Sequence, residues 1–390
     1  MSKQITIITN YFPPESGAAS NRISAMVDAF LDNGYVVTVI CPLPSYPLGK
    51  VFISYRGKLF DKERKESLTI YRLWHMPSNS SSKFIRLFSM LSFCFSLFWF
   101  VLFKKLSPVV FVQMSPLFIG FTGVFISRLK RKKIVLNVSD LWPLAGLEMG
   151  VLKRGFYYNI LESIEKYCYK KTDLILGQSE EILTHIEKDF SPKDFFLYRN
   201  FPQDKSNYTS NTKPPSNELK IVYAGLLGVA QGISNLIKGL NIPDGVSISI
   251  YGDGPEAKNV AQIALSNPKI NYYGVLEKGE LDKKLLSYDL ALIPLVNRIY
   301  GSVPSKIFEL SRLGIPIVYF SEGEGALLVE QLELGFVIKN NFKTELEQLI
   351  QDIKHGNKKL PMSNQIKETA KNHFDFNTQF EQLLKQIQAV

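Results

Sequence analysis

Two successive series of short apolar runs constrain the fold of this chain more than any other feature of its sequence. In each series, runs rich in aliphatic and β-branched residues alternate with stretches whose apolar positions follow a helical repeat. This alternation is typical of parallel strands joined by helices. The runs are 4–9, 36–41, 109–113, 134–138 and 173–176 in the first series, and 219–223, 246–251, 270–273, 290–294 and 315–320 in the second. The sequence therefore predicts an α/β protein with two doubly wound parallel sheets.

A polar stretch separates the two series. Residues 205–217 are rich in Ser, Asn, Thr and Pro, a composition typical of a linker. We therefore expect a first domain over 1–204 and a second over 218–360, a division that suits a chain of 390 residues. The polar helical stretch 361–390 is predicted to cross back to the first domain. Because ligands of such sheets lie at the carboxyl ends of strands, two domains in tandem predict a cleft between two sets of strand ends.

The charge of the chain is unevenly distributed. The formal net charge is +10, and the excess of Lys and Arg lies within residues 1–205. This asymmetry favours an anionic surface as partner, either a phospholipid leaflet or nucleic acid, although a solubilising surface is a plainer explanation. The three cysteines lack the CxxC spacing of a zinc site or a disulfide framework. Since the first residues have the pattern of a strand rather than of a signal peptide, we expect a cytoplasmic protein.

The most apolar segment is 84–103. It contains no charged residue between Leu87 and Phe103, and Lys104 follows it. At 1.5 Å per residue the uncharged part spans about 25 Å, which is short of the ~30 Å hydrocarbon core of a bilayer. Together with the basic cluster at 128–133, this pattern predicts a helix that lies in the membrane interface. A plain core helix and a true membrane span are the alternatives.

Two segments of the first half follow predicted strands and carry polar residues. Residues 11–22 read Tyr-Phe-Pro-Pro-Glu-Ser-Gly-Ala-Ala-Ser-Asn-Arg, and Gly17 there permits close approach of a phosphate to the start of a helix. Residues 137–143 read Asn-Val-Ser-Asp-Leu-Trp-Pro. Asp140 is a candidate to accept hydrogen bonds from a sugar or to stabilise positive charge. The alternatives are an ordinary strand–helix loop and a helix cap, respectively.

The strongest candidate site lies at 302–314, Ser-Val-Pro-Ser-Lys-Ile-Phe-Glu-Leu-Ser-Arg-Leu-Gly. Ser305 and Lys306 are placed where the N–H groups of a helix start and an ammonium group converge on an anion. Glu309 lies on the same helix face, and its carboxylate suits the two hydroxyls of a ribose. The alternative is a surface Lys–Glu pair of little energetic consequence.

Glycine-rich strand ends supply the rest of this candidate nucleotide site. They are found at 223–232, at 251–255 with Gly252, and at 321–326 with Gly325. The sequence contains no Asp-x-Asp triplet, no P-loop and no HExxH, so neither a metal ion nor a cofactor is expected.

The motifs at 12–17, 140–143, 251–255 and 303–309 together resemble family 4 retaining glycosyltransferases of the GT-B fold, in which two Rossmann-like domains face a cleft. The resemblance covers nearly the whole chain and is strongest to the bacterial branch that builds O-antigen and capsule, including fucosamine-transferase-like proteins. It implies Asp140 as the catalytic residue beside the transferred sugar. It also implies a donor site without metal, formed by Gly17, Gln231, Gly252, Arg298, Ser305, Lys306, Glu309 and Gly325.

The resemblance further implies transfer of a hexose or N-acetylhexosamine from a nucleotide-diphosphate sugar, most commonly UDP-linked. The acceptor would be a polyprenyl-diphosphate-linked saccharide at the cytoplasmic face of the membrane, and no nucleic acid would take part. This sequence departs from the family pattern at Gly301, where many members have a glutamate, and at Leu226 and Gln231, where many have Arg and Lys. Leu226 and Gln231 therefore leave a non-catalytic sugar-nucleotide binder as an alternative. A sugar-nucleotide epimerase of the same two-domain fold is a further alternative.

Overall fold

The protein folds into two compact units. The computed structural model describes residues 3–80, 82–190, 194–203 and 218–389. The first unit comprises Met1–Asn200 and Asn377–Val390, and the second comprises Phe201–Phe376. The predicted linker at 205–217 lies outside the described residues. Of the segment predicted to cross back to the first domain, residues 361–376 belong to the second unit and the residues from Asn377 onward belong to the first.

The first unit is built on one mixed sheet. Its strands are β1 (Gln4–Ile8), β2 (Val36–Pro42), β3 (Phe60–Lys65), β4 (Leu68–Leu73), β5 (Val109–Gln113), β6 (Lys133–Val138), β7 (Leu174–Gly177) and β8 (Asp194–Leu197). Within the described part of the chain these eight strands follow the order β3-β4-β2-β1-β5-β6-β7-β8. All neighbours are parallel except β3 and β4, which form an antiparallel pair.

Helices cover this sheet because its central strands are apolar on both sides. They are α1 (Ala18–Asp32), α2 (Lys83–Phe103), α3 (Leu117–Leu129), α4 (Leu144–Glu148), α5 (Phe156–Lys171) and α6 (Glu180–Glu187). Helix α1 buries Ile23, Val27 and Phe30. Because β1, β5, β6 and β7 are parallel neighbours, their carboxyl ends lie on the same side of the sheet.

Helix α2 has one buried face and one exposed apolar face. Phe93, Leu97 and Val101 are almost fully buried, whereas Phe95 is 64% exposed. Within the described residues, α2 is the one helix long and apolar enough to cross a membrane by length and composition, over Phe84–Phe103, and 28% of its apolar 18-residue window is buried.

The second unit contains a parallel sheet. Its strands are β9 (Leu219–Ala224), β10 (Val246–Tyr251), β11 (Ile270–Gly274), β12 (Leu290–Pro294), β13 (Ile317–Phe320) and β14 (Gly335–Ile338). In the described residues the order is β11-β10-β9-β12-β13-β14, and every neighbouring pair is parallel. Its helices are α7 (Ile233–Ile237), α8 (Ala257–Ser266), α9 (Lys278–Leu285), α10 (Lys306–Leu313), α11 (Glu324–Gln331), α12 (Phe342–Lys354) and α13 (Ser363–His373).

Alternate residues of the second sheet form two separate apolar clusters. Ile221, Ile248 and Leu292 belong to one cluster, and Val222 and Ala291 belong to the other. Because successive side chains of a strand point to opposite faces, each face has its own core. This arrangement confirms the prediction of two doubly wound α/β domains.

The last helix, α14 (Phe376–Ala389), packs on the first unit. The ring of Phe380 lies edge-on to that of Phe30, with 4.9 Å between ring centroids. The side-chain amide of Gln379 accepts a hydrogen bond from the Arg199 backbone N–H at 2.8 Å and donates one to the Arg199 carbonyl at 3.0 Å. These contacts tie the end of the chain to the segment that follows β8.

All ten predicted strand regions contain strands, and no strand end differs from its prediction by more than two residues. Four strands are additional: β3, β4, β8 and β14. All four lie at or next to an edge of a sheet. Strand β3, Phe-Asp-Lys-Glu-Arg-Lys, keeps polar side chains exposed at the sheet edge and has no apolar run to reveal it. The apolar residues of β4 are interrupted by Thr69 and Arg72, and β8 and β14 are only four residues long.

Candidate functional site

Four neighbouring parallel strands of the first unit end beside helix α1. Polar side chains follow each of these strands, and one residue of α1 reaches them. We call this group the Arg22 cluster; it consists of Arg22 of α1, Ser115 after β5, Ser139 and Asp140 after β6, Gln178 after β7 and Tyr198 after β8. The predicted catalytic residue, Asp140, therefore lies at the strand ends where ligands of such sheets bind.

Hydrogen bonds connect most of the Arg22 cluster. Arg22 Nη2 donates to Ser139 Oγ at 2.7 Å, and Gln178 Nε2 donates to the same oxygen at 3.0 Å. The Ser115 hydroxyl donates to Asp140 Oδ2 at 3.3 Å. Arg22 and Asp140 each keep part of their surface exposed. The side chain of Asp140 is thus held in place and still has accessible surface.

Opposing effects act on the charges of this cluster. Burial raises the pKa of Asp140 above its ordinary value, while the positive charge of Arg22 and the hydrogen bond from Ser115 lower it. Burial also lowers the pKa of Arg22 to about 10, an effect that the charge of Asp140 opposes. Since this value lies well above 7, Arg22 is a cation at neutral pH.

Asp140 does not cap a helix. Helix α4 begins at Leu144, its N-cap residue is Pro143, and no side chain makes a capping hydrogen bond there. The cap alternative considered for Asp140 is therefore wrong, and its carboxylate faces Arg22 and Ser115 instead.

The loop before α1 is firmly held. The Glu15 carboxylate accepts hydrogen bonds from the backbone N–H groups of Ser45 at 2.7 Å and Tyr46 at 2.8 Å. Arg72 Nη2 donates to the carbonyl of Pro13 at 2.6 Å. Gly17 is the N-cap residue of α1 with a φ of 149°. This anchoring places the free N–H groups of the helix start at the end of β1, an arrangement suited to an anion.

In the second unit the two predicted glycine loops meet. The N–H of Gly225 donates to the Tyr251 carbonyl at 2.9 Å, and the N–H of Leu227 donates to the Asp253 carbonyl at 2.9 Å. A Cβ atom on Gly252 would overlap the Gly225 carbonyl oxygen, and φ of Gly252 is +131°. Only glycine fits there, because any side chain would force the two loops apart.

Lys306 lies against this pair of loops. A Cβ atom on Gly225 would come within 2.6 Å of Lys306 Cε and 3.4 Å of Lys306 Nζ. Lys306 is the first residue of α10, and Ser305 is its N-cap residue. The Ser305 hydroxyl donates to Glu309 Oε1 at 3.3 Å. The structure thus brings Ser305, Lys306 and Glu309 together at one helix start, next to Gly225 and Gly252.

Two further candidates lie around the same loop. The N–H of Asn297 donates to the Ala230 carbonyl at 3.2 Å, which joins the segment before Arg298 to the loop containing Gln231. The side-chain oxygen of Gln231 is buried and has no hydrogen-bond partner among the described residues. Leu226, in the same loop, is 61% exposed. The loop that follows β9 therefore presents an amide and an aliphatic side chain where the resembling family has cations.

Arg298 lies beside the start of helix α11. A Cβ atom on Gly323, the N-cap residue of α11, would overlap the Arg298 guanidinium group, so glycine gives the guanidinium room. Gly325 lies behind this point, where its missing side chain leaves room for the Tyr319 hydroxyl. Of the two glutamates in the loop, Glu322 is exposed and Glu324 is buried. Gly325 therefore packs against β13 rather than facing an open surface.

The backbone at Gly301 accounts for one departure from the family pattern. Gly301 is buried and has a φ of 81°. A glutamate in this conformation would be strained, so the local backbone differs from one built around a side chain. Glu309 is left as the acidic residue of the predicted donor site. Within the described residues there is no group of three or more His, Cys, Asp or Glu that could hold a metal ion.

Comparisons with known proteins agree with this architecture. Residues 204–373 match the sequence family described as glycosyl transferases group 1. The chain thus carries a group 1 glycosyltransferase domain. This domain supports an activity of sugar transfer. No curated protein sequence matches the chain.

Solved structures define the fold. The chain is similar to sucrose-phosphate synthase from Thermosynechococcus elongatus, with a TM-score of 0.74 and 13% identity over 99% of both chains. It is similar to HepE from Anabaena in complex with UDP-glucose, with a TM-score of 0.68 and 14% identity over 99% of this chain and 100% of that one. It is also similar to starch synthase IV from Arabidopsis thaliana bound to ADP and acarbose, with a TM-score of 0.63 and 12% identity over 98% of both. The fold is GT-B, as predicted.

Sequence reasoning missed one residue of the first unit. Arg22 belongs to the loop-and-helix segment that was singled out for Gly17, and it stands one helical turn into α1. An arginine on the largely apolar inner side of a helix was the available signal, because a cation placed there requires a partner. Its partner, Asp140, is more than a hundred positions away and was not recognisable from spacing.

Proposed function

We propose that this chain is a family 4 retaining glycosyltransferase of bacterial surface polysaccharide synthesis. It would transfer a hexose or N-acetylhexosamine from a nucleotide-diphosphate sugar to a polyprenyl-diphosphate-linked saccharide of O-antigen or capsule. The observation that carries the proposal is the meeting of Lys306, the start of α10 and the two glycine loops at Gly225 and Gly252. A helix start, an ammonium group and close backbone loops form a site for a diphosphate.

The second unit binds the donor in this proposal. Lys306 neutralises the diphosphate, and Arg298 at the start of α11 supplies a further cation. Glu309 accepts hydrogen bonds from the ribose hydroxyls, and the Ser305 hydroxyl holds one of its oxygens. Uridine is the base we propose, in line with the UDP and UDP-glucose complexes of HepE. The ADP complex of starch synthase IV keeps adenosine as the alternative base.

The first unit binds the acceptor and assists the chemistry. During transfer, the bond between the anomeric carbon and the diphosphate breaks, and negative charge grows on the leaving phosphate. Lys306 and the helix start stabilise this charge, which is the main catalytic contribution. The acceptor hydroxyl forms the new bond on the same face, and its proton passes to the leaving phosphate oxygen. Asp140 stabilises the positive charge that develops on the transferred sugar.

The exposed face of α2 supports a membrane-bound acceptor. Phe84, Phe88, Phe95 and Phe103 are 83%, 59%, 64% and 81% exposed, although large aromatic side chains are usually buried. Basic residues lie at both ends of α2, with Arg86 in its first turn and Lys104 and Lys105 after it, and Lys130 of the segment 128–133 donates a hydrogen bond to the Lys104 carbonyl. An apolar stripe flanked by cations fits an anionic phospholipid leaflet. We therefore propose a cytoplasmic protein that associates peripherally with the inner face of the cell membrane.

Two features favour an interfacial α2 over a membrane span. One face of α2 packs into the first unit through Phe93, Leu97 and Val101. The strands before and after the helix, β4 and β5, belong to the same sheet. Because a spanning helix would place these two strands on opposite sides of a bilayer, the helix lies along the membrane surface in this proposal.

Transfer assays test the donor site. Purified protein is incubated with UDP-glucose, UDP-N-acetylglucosamine or ADP-glucose and with bacterial membranes that contain polyprenyl-diphosphate-linked saccharides. We expect lipid-linked product with the wild-type chain. Lys306→Ala should weaken donor binding about 10- to 150-fold, since a hydrogen bond to a charged group contributes roughly 1.5–3 kcal/mol. Glu309→Ala should weaken it to a similar degree.

Matched variants serve as controls for these two. Lys258→Ala removes an exposed lysine from α8, and Glu368→Ala removes an exposed glutamate from α13. Both should bind the donor as the wild type does. Product formation that is equally rapid with Lys306→Ala and Lys258→Ala would refute the donor-site assignment. Donor binding without product from any acceptor would favour the non-catalytic sugar-nucleotide binder, for which Leu226 and Gln231 are the sequence evidence.

Vesicle flotation tests the membrane surface. We expect the protein to float with phosphatidylglycerol vesicles and to stay in solution with phosphatidylcholine alone. Phe88→Ser with Phe95→Ser should weaken binding about tenfold or more, because each buried Phe contributes roughly 1.5–3 kcal/mol. Leu265→Ser is the control, since Leu265 is a 90% exposed apolar residue on α8 of the second unit. Equal flotation of both variants would contradict the proposed surface.

A further inference from the structure

Arg22 occupies an unusual place for a cation. It lies one turn into α1, next to Ile23, which is fully buried. Its Nε atom is buried and has no hydrogen-bond partner among the described residues. Placing a guanidinium group in such surroundings costs free energy unless an opposite charge compensates. A residue retained at this cost has a purpose that a neutral side chain would not serve.

The compensating charge belongs to Asp140. Each of the two residues shifts the pKa of the other: the charge of Arg22 lowers that of Asp140, and the charge of Asp140 raises that of Arg22. The guanidinium group also donates to Ser139 Oγ at 2.7 Å, so it contacts the residue that precedes Asp140 in the chain. Arg22 therefore acts on Asp140 in two ways, through its charge and through the turn that carries the carboxylate.

Ser139 is held from two directions. Arg22 approaches its hydroxyl from α1, and the Gln178 amide approaches it from the end of β7 at 3.0 Å. The backbone that leads from β6 to Asp140 is thus fixed to a neighbouring helix and to the neighbouring strand. From the other side, the Ser115 hydroxyl after β5 bonds to Asp140 Oδ2 at 3.3 Å. Two elements thus hold the residue before Asp140 and a third holds the Asp140 carboxylate, which favours the single orientation that a site requires of a group that acts on a ligand.

We propose that Arg22 is the positioning residue for Asp140: it fixes the turn at Ser139 and provides the cation that keeps the Asp140 carboxylate ionised and oriented. The inference rests on the proposed function, in which Asp140 stabilises positive charge on the transferred sugar. A neutral carboxyl group would not perform that task, so the ionised form has to persist despite partial burial.

The groups around Arg22 and Asp140 determine the direction in which the pKa of Asp140 changes when Arg22 is replaced. Asp140 faces Arg22 of α1 and Ser115 after β5, and Arg22 faces Asp140 and Tyr198. Removing Arg22 leaves burial as the main influence on the Asp140 carboxyl, so its pKa rises. Activity that depends on the ionised carboxylate is then lost at a higher pH as the solution is acidified. The acid limb of the pH profile should move upward by about one to three units, the usual effect of an adjacent arginine on an aspartate.

Three variants separate the charge of Arg22 from its hydrogen bonds. Arg22→Gln removes the charge, and its acid limb should move up. Arg22→Lys keeps the charge without the planar group, so its acid limb should stay near that of the wild type while kcat falls. Gln178→Leu removes the other hydrogen bond to Ser139 and no charge, so its acid limb should coincide with that of the wild type even where kcat falls. The shared readout is kcat against pH for each variant.

A second readout does not depend on transferase activity. The ¹³C signal of the Asp140 carboxyl carbon, assigned with Asp140→Asn, is titrated in the full chain of the wild type, Arg22→Gln and Arg22→Lys. We expect the midpoint to rise in Arg22→Gln and to be largely retained in Arg22→Lys, whose ammonium replaces the lost charge. If Arg22→Gln does not fold, Arg22→Met takes its place in both readouts, because it also removes the charge and keeps an unbranched side chain.

The outcomes are distinct. An unchanged Asp140 midpoint in Arg22→Gln overturns the proposal, and so does a shifted midpoint with an unshifted acid limb of activity. An acid-limb shift in Gln178→Leu as large as that in Arg22→Gln also overturns it, because a general loosening of the turn would then suffice. A wild-type chain that transfers no sugar would refute the proposed function itself, and the carboxyl titration would still decide whether Arg22 controls the charge of Asp140.

Discussion

Replacing Gly252 by alanine tests the contact on which the candidate donor site depends. A Cβ atom at this position would overlap the Gly225 carbonyl oxygen, and φ of Gly252 is +131°. The backbone conformation alone should cost an alanine about 1–3 kcal/mol. Separating the loops also weakens two hydrogen bonds of 2.9 Å, Gly225 N–H to Tyr251 and Leu227 N–H to Asp253, at about 1 kcal/mol each. The total is about 3–5 kcal/mol for the opening of this region.

Gly274 offers a matched control. It is the last residue of β11 and has a φ of +69°, and a Cβ atom there would have nothing within 4 Å. Gly274→Ala therefore carries the backbone cost of a left-handed residue, about 1–2 kcal/mol, without any overlap. The difference between the two variants isolates the close approach of the loops from the conformational preference of glycine.

Amide hydrogen exchange is the appropriate assay, because the three tryptophans, Trp74, Trp99 and Trp142, all belong to the first unit. Peptides that cover β9 and β10 should show a loss of about 3–5 kcal/mol in opening free energy for Gly252→Ala and about 1–2 kcal/mol for Gly274→Ala. Tryptophan fluorescence, which follows the first unit, should be unchanged in both. Equal losses in the two variants would refute the reasoning, as would Gly252→Ala with undiminished affinity for the donor.

Three further predictions concern other parts of the chain. Burial raises the pKa of Glu165 to about 8 from 4.5, so the folded chain binds this proton more tightly than the unfolded chain, and the free energy of unfolding should fall as the pH rises from about 4.5 to about 8. In Glu165→Gln the difference in the free energy of unfolding between pH 5 and pH 8, measured with denaturant, should be smaller by on the order of 3–5 kcal/mol. Phe380→Ala should destabilise the first unit by about 3–5 kcal/mol in tryptophan fluorescence, since this ring is 2% exposed and packs on Phe30. Gly301→Glu should lower donor affinity in calorimetry rather than restore a second acidic ligand, because φ of 81° strains a glutamate there.

The sequence predicts much of the central part of each sheet. The strands β1, β5 and β6 are buried on both faces, so most of their residues are apolar and form continuous runs in the sequence. The edge strand β3 has no such run, and β14 is a short strand with only Ile338 buried. Strand prediction therefore succeeded for the central strands of both sheets and missed the strands at three of the four sheet edges, β3, β8 and β14.

The candidate donor site was partly predictable for a similar reason. Ser305, Lys306 and Glu309 lie within one helical turn of each other, so their proximity follows from helix geometry alone. The contact of Lys306 with Gly225 joins residues about eighty positions apart and was not available from spacing. Gly325 illustrates the converse, because its loop was singled out for glycine content while the residue itself packs against Tyr319.

The sequence by itself determined two α/β halves, their central strands and the loops that follow those strands. These features could be predicted because the periodicity of apolar residues along a segment reflects which faces of that segment are buried. The tertiary structure alone decided that Arg22 bonds to Ser139 beside Asp140 and that the loops after β9 and β10 close on one another beneath Lys306. Such contacts depend on the order of strands in a sheet, β5-β6-β7-β8 in one case and β10-β9-β12 in the other. Strand order arises from the packing of the whole unit, and no local pattern of residues encodes it.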